Sequence, residues 1–150
     1  MILSHHRAKN IVGAIFPISC EHFENLVSTN RNVFAKFTNL LVKPNSLIVF
    51  YGSGTKTLIG DARTTNVERL DPNTAWTRYG SRLFLDYVDY FNYTSISPIG
   101  KEKRKMSKIT VFELKKIRRY PKAIKPYHTS TPSGRYLTQE MFDAIQKGAA

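Results

Sequence analysis

A glycine-rich hexapeptide, four histidines and one cysteine are the first places to look for chemistry in this chain. Gly52-Ser-Gly-Thr-Lys-Thr57 has the composition of a phosphate-cradling loop but not its order. Such a loop needs Gly-x4-Gly-Lys-Ser/Thr opening a helix, so that backbone N–H groups point at the phosphate. Here Thr55 separates Gly54 from Lys56, and the following Leu58-Ile59-Gly60 is strand-like. The hexapeptide is therefore expected to be a hairpin turn, with Ser53 and Lys56 able to reach a ligand at its rim. His5, His6, His22 and His128 have no metal-ligand spacing with Cys20 or with carboxylates, so no metal site is expected. There is no nucleophile elbow. Cys20 lies near a helix start, which can lower a thiol pKa, but it reads first as a small core side chain.

The charge pattern speaks more loudly. Between Lys101 and Lys125 the chain carries eleven Lys or Arg and two acids, Glu102 and Glu113, while the net charge of the whole is +12. The remaining segments are nearly balanced, so the basicity is local. A concentrated positive field on a small domain points to a polyanionic partner, most often nucleic acid. Tyr79, Phe84, Tyr87, Tyr90, Phe91 and Tyr93 form an aromatic run on the N-terminal side of it. Bases of a single strand stack on exposed aromatics at about 1–3 kcal/mol each. Most of these rings should nonetheless be core, with one or two reaching solvent near a ligand.

Elements must position these groups. Asn10–Pro17 reads as a first strand, and Ser19 caps a helix running to about Ser28. Val33–Phe37 is a short strand. Leu47–Tyr51, apolar on both faces, is a central one. Thr57–Leu70 returns as a long, bulged strand whose Gly60 and Ala62 admit close backbone approach. Asp71-Pro72 starts a helix to Tyr79, closed by Gly80 in a left-handed cap. Asp86 is expected to cap another helix through Asn92. Thr94–Ser107 reads as an exposed loop. Ile109, Val111, Phe112 and Leu114 mark a further strand continuing into Lys115–Tyr120, with Ile117 turned inward. Pro121 and Pro126 punctuate an extended stretch, and Thr138 caps a last helix carrying Met141, Phe142 and Ile145 on one face. Strands outnumber what a doubly wound sheet needs. The pattern is α+β, a bent sheet or small barrel flanked by short helices.

The totals agree with that scale. At 150 residues the chain fits one domain, residues 1–150, with 1–9 as a flexible start, and it can bury a core without staples. A single cysteine allows no internal disulfide. Met1–Asn10 lacks the apolar region of a signal peptide, and no apolar run approaches a bilayer span of about 20 residues. A cytoplasmic location and no membrane association are expected.

Several segments together resemble an archaeal domain family of unknown function in the PUA-like superfamily, which includes the ASCH and EVE domains. They are Val33-Phe-Ala-Lys36, Lys43-Pro-Asn-Ser-Leu-Ile-Val-Phe-Tyr51, Gly60-Asp-Ala62, Tyr79-Gly-Ser-Arg-Leu-Phe-Leu85, and Lys125-Pro126 followed by Gly134-Arg-Tyr-Leu137. The resemblance implies a mixed β pseudo-barrel of about five to six strands flanked by short helices. It also implies a cleft where relatives bind RNA or modified bases. Some ASCH relatives are amidohydrolases of modified cytidine with a Gly-x-Lys-x-x-Glu-x-Arg motif on the second strand. In this chain the motif's Lys falls on Asn32 and its Glu on Ala35, which argues against that chemistry. EVE relatives enclose a modified base in aromatic walls, a role open here to Tyr51, Trp76, Phe84 and Tyr127.

The resulting expectation is a nucleic-acid-binding module, for RNA ahead of DNA, that reads one flipped or modified base in a cleft. Lys36, Ser53, Lys56, Arg63 and Arg82 are candidates for the pocket and its rim. Arg135 and Tyr136, on a loop before the last helix, are candidates to close it. Lys103, Arg104, Lys105, Lys115, Lys116, Arg118 and Arg119 would contact phosphates. Six such contacts to a single strand would give a log–log salt slope of about −4. For Arg63 and Arg82 the competing role is a structural ion pair, for instance with Asp61 or Asp86. No catalytic residue and no cofactor is assigned. Two alternatives stand beside this: a small amidohydrolase-like enzyme using Lys36 and a nearby hydroxyl, and a structural ribonucleoprotein component.

Overall fold

The computed structural model of the chain describes residues 10–95, 108–126 and 133–149. Six strands form one mixed sheet: β1 (Ile11–Ile18), β2 (Val33–Lys36), β3 (Leu47–Gly52), β4 (Thr57–Leu70), β5 (Ile109–Ile124) and β6 (Arg135–Thr138). Their spatial order is β2-β5-β4-β3-β1-β6. Only the β1–β3 pair is parallel; the other neighbours are antiparallel. The helices are α1 (Cys20–Ser28), α2 (Pro72–Tyr79), α3 (Tyr87–Thr94) and α4 (Gln139–Ala149), with a 3-10 turn at Gly80–Arg82.

Strand β3 is buried along its whole length. Its side chains alternate between two cores, as period-two geometry requires. Ile48 and Phe50 join Phe16, Phe34 and Phe112 beneath α1 and α2. Leu47, Val49 and Tyr51 join Ile15, Leu58, Tyr120 and Ile145 beneath α4. A strand with apolar groups on both faces is stable only with cover on both sides, and the helices supply it. The sheet is not closed by hydrogen bonds. Strands β1 and β2 lie apart in the strand order, yet the Phe16 and Phe34 rings meet at 5.8 Å and bridge the gap. This is a pseudo-barrel of the α+β class.

The local devices explain the bends. Ser19 Oγ accepts from the His22 N–H at 3.1 Å and starts α1. Asp71 caps α2 through the N–H groups of Asn73 and Thr74, and Gly80, at φ 36°, closes it. Strand β4 shifts register three times against β5. At Gly60 an added Cβ would sit 2.3 Å from the Arg118 carbonyl oxygen and 2.4 Å from the Phe23 ring, so the residue has room for hydrogen only.

Several expectations need correction. Asp86 makes no capping hydrogen bond; its carboxylate takes Arg31 at 2.6 Å instead, and α3 runs two residues further, to Thr94. Strand β5 continues through Pro121 to Ile124, because the register shift opposite Leu58–Gly60 relieves the proline of a ladder donor. Arg135 and Tyr136 lie on a short edge strand, β6, not on a loop. Cys20 is exposed, not part of the core. The expected Thr94–Ser107 loop falls largely outside the described residues.

Candidate functional site

The parallel pair β1–β3 ends beside the β3–β4 turn, and ligands in open sheets favour the carboxyl ends of parallel strands. A cavity of about 630 Å³ opens there. Its walls are apolar and aromatic: Pro17 and Ile18 from β1, Phe34 from β2, Phe84 and Leu85 from the segment before α3, and Tyr93 from α3. The 84–85 segment is held in place by the Phe84 N–H, which donates to the Val33 carbonyl at 2.8 Å. Polar groups reach in at few points, among them Lys36, Ser53, Lys56, His22 and Asp89. An apolar cavity with a small number of placed polar groups is the usual make-up of a small-ligand site, and such sites span about 300–1,000 Å³.

Lys36 ends β2 and is mostly buried. Its Nζ lies 3.4 Å from the Pro17 carbonyl oxygen and 5.8 Å from the centre of the Tyr93 ring. Among the described residues it has no carboxylate partner. Burial therefore acts unopposed and pulls its pKa down to about 8. The Tyr93 hydroxyl accepts from the Phe37 N–H at 3.3 Å, which fixes the ring against the lysine. On the opposite element, the hairpin turn expected at Gly52–Thr57 is present: the Lys56 N–H donates to the Gly52 carbonyl at 2.7 Å, and Lys56 adopts φ 59°. Ser53 donates to the Ile18 carbonyl at 3.4 Å and so ties the turn to β1.

The structure brings five of the sequence candidates together here: Lys36, Tyr51, Ser53, Lys56 and Phe84. The others are placed elsewhere. Trp76 packs on Tyr87 and Tyr90 at ring distances of 5.3 and 5.4 Å. Arg82 pairs with Glu113 at 2.9 Å and donates to Asn32, so its partner is neither Asp61 nor Asp86. Burial alone would raise the Glu113 carboxyl, but hydrogen bonds from Asn66 and Arg82 outweigh it and hold it below the usual range. Arg63 donates to the Asn45 carbonyl at 3.1 Å. Tyr136 accepts from the Leu41 N–H at 2.9 Å. Arg135 lines a second cavity, of about 670 Å³, between the sheet and α4, where Tyr51 also forms part of the wall. Tyr127 lies outside the described residues. Ala35, the position of the hydrolase motif's Glu, forms part of the main cavity's wall without a carboxylate.

Among the phosphate candidates, Lys115 and Lys116 are exposed and have no acidic partner among the described residues. Arg118 is held by Asp61 in a two-pronged pair at 3.0 and 3.1 Å, and Tyr120 donates to the same carboxylate at 2.8 Å. Arg119 pairs with Glu24. Lys103, Arg104 and Lys105 lie outside the described residues. Ile117 packs partly against the core, as its apolar character suggests.

His22, Asp89 and Phe34 were not among the sequence candidates. Asp89 and Tyr93 are four apart on α3 and face the cavity together, a spacing visible in the sequence only once α3 is known to flank β2.

A family model described as a domain of unknown function, DUF365, matches residues 11–139. An uncharacterized protein of Methanocaldococcus jannaschii, MJECS03, is 31% identical over 104 residues, covering 67% of this chain and 96% of that one. Among solved structures, ASCH from Zymomonas mobilis superposes with a TM-score of 0.72 at 22% identity, over 89% of this chain and 93% of that one. A protein of Enterococcus faecalis V583 assigned to DUF984 gives 0.54 at 11% identity, over 79% and 83%. The chain belongs to the DUF365 family, and its fold is like that of ASCH from Zymomonas mobilis.

Proposed function

We propose that this protein binds nucleic acid, RNA ahead of DNA, and holds a single flipped or modified base in the cavity beside Lys36. The observation that carries this reading is the pairing of aromatic walls with a mostly buried lysine that has no carboxylate partner among the described residues. A base offers a π face to Phe84 and Tyr93 and a carbonyl or ring nitrogen to the lysine. Enclosing it requires extrusion from a stack, which costs least in a single strand. The net charge of +12 supports an anionic partner, and the exposed Lys115 and Lys116 lie on the strand that carries the basic run. Phosphate contacts position a strand but carry no identity, so selectivity belongs to the cavity. The fold's resemblance to ASCH from Zymomonas mobilis is consistent with this reading and does not specify a ligand.

The test is an equilibrium titration of a short RNA strand against salt. Binding should weaken steeply as salt rises, and Lys36→Met should lower the affinity about tenfold. No detectable binding at low salt would overturn the reading.

One observation favours the enzymatic alternative. A lysine titrating near pH 8 can take up and release a proton at working pH, and the Ser53 hydroxyl lines the same cavity. Turnover of an amide-bearing modified nucleoside, lost in Lys36→Met, would establish it; binding without turnover across such a panel would leave the binding module.

A further inference from the structure

The cavity's lining holds groups of opposite charge, and only the cations have been given a role. His22 from α1 and Asp89 from α3 both form part of the wall. His22 Nε2 lies 3.6 Å from an Asp89 carboxylate oxygen. The imidazole ring meets the Phe84 ring edge-on at 6.1 Å, and the residue's backbone N–H donates to the Ser19 hydroxyl at the start of α1. It is therefore placed to orient the carboxylate. Neither group is needed to build the fold. Asp89 lies on an exposed stretch of α3 with nearly half its side-chain surface open, and His22 is also partly exposed. The core contacts of these helices come instead from Phe23, Leu26 and Tyr90.

The lysine and the carboxylate differ in sign. A carboxylate only accepts hydrogen bonds and a lysine ammonium only donates them. A flat ligand that meets both must present an acceptor to Lys36 and an N–H donor to Asp89. We propose that Asp89, oriented by His22, is the specificity determinant of this cavity and selects bases that carry an exocyclic amino group. This rests on the base-binding reading given above. A base without the amino group would leave the carboxylate facing an acceptor or an apolar edge. The amino-bearing base gains a charge-assisted hydrogen bond to the carboxylate that its analogue cannot make.

The test uses the full chain and RNA strands about nine nucleotides long that are abasic except for one central base. Adenine is compared with purine, and cytosine with pyrimidin-2-one; each pair differs only in the amino group. Binding is measured by fluorescence anisotropy for the native chain, Asp89→Ala and His22→Ala. At least one amino-bearing base should bind about tenfold more tightly than its partner. Asp89→Ala should bring that ratio close to one by weakening the amino-bearing strand, and His22→Ala should reduce it. A purely structural role would instead weaken all strands together and keep the ratio. Equal binding within both pairs, or a ratio that survives Asp89→Ala, overturns this inference and leaves the base-binding function standing. Failure of every strand to bind overturns both.

Discussion

Lys36 is a cation at a position where a neutral side chain would suit the fold better. Burial draws its pKa down to about 8, and among the described residues its Nζ meets the Pro17 carbonyl oxygen and no carboxylate. The sign of the linkage follows. Between about pH 8 and the ordinary lysine range the unfolded chain holds a proton that the folded chain has shed, so stability rises with pH across that window. Below about pH 8 both states are charged, and the full burial penalty applies. Lys36→Met should therefore stabilise the protein at about pH 7, on the order of 1–2 kcal/mol, with the gain shrinking toward about pH 10. Urea denaturation at the two pH values checks this. The same substitution should weaken RNA binding, a divergence expected of a residue retained for function and not for folding. Native binding should also fall as pH rises through about 8, because the neutral amine loses its charge-assisted hydrogen bond. A destabilised Lys36→Met variant at pH 7 would show instead that the ammonium belongs to the structure.

At the scale of elements, the site exists because β2 is short and borrows its neighbours. It pairs with β5 through four residues and meets the segment before α3 through Val33 and Leu83. Most of this scaffold was legible in the sequence. The apolar run of β3, the Ser19 and Asp71 caps and the Gly80 stop each have a local physical cause that a sequence displays. Edge strand β6 was missed because Arg135–Thr138 is too short to show alternation, and its existence depends on pairing with β1. Four of the five candidates in the cavity sit at strand ends or next to them, where direction can be read from the run, while Phe84 comes from the bend before α3. Trp76 and Arg82 lie elsewhere, since aromatic and basic residues serve packing and ion pairing as readily as binding, and sequence does not distinguish these uses. His22 and Asp89 were missed because their meeting depends on how α1 and α3 pack, which no local pattern encodes. Gly60 is a position where the element-level reading can be tested. Gly60→Ala drives a methyl into the Arg118 carbonyl and the Phe23 ring and should cost about 1–3 kcal/mol, seen as a lowered thermal midpoint. An unchanged midpoint would mean that β4 and β5 can separate freely at this point.

Across the whole molecule, the basic run divides into cations with different duties. Arg118 and Arg119 are joined to Asp61 and Glu24, and so connect β5 to β4 and α1. Lys115 and Lys116 face solvent. Charge density in the sequence does not separate these, because acids far away in the chain decide which cations are already matched. Replacing Lys115 and Lys116 by Gln should flatten the log–log salt slope for single-stranded RNA by about 1.4 without altering stability. Arg118→Gln should act the other way, lowering stability by about 1–3 kcal/mol because the buried Asp61 loses its cationic partner and keeps only Tyr120, with a smaller change in slope. Salt-dependent titrations paired with thermal melts separate the two outcomes. The central claim is that strand contacts bring RNA to the protein and that the cavity beside Lys36 then holds one base. Its most direct measurement compares a fully abasic short RNA strand with the same strand carrying one central base, against the native chain and Lys36→Met. The base should strengthen binding to the native chain about tenfold, and that advantage should largely vanish in Lys36→Met. Equal binding of the two strands, or an advantage that survives the loss of the lysine, would contradict the claim.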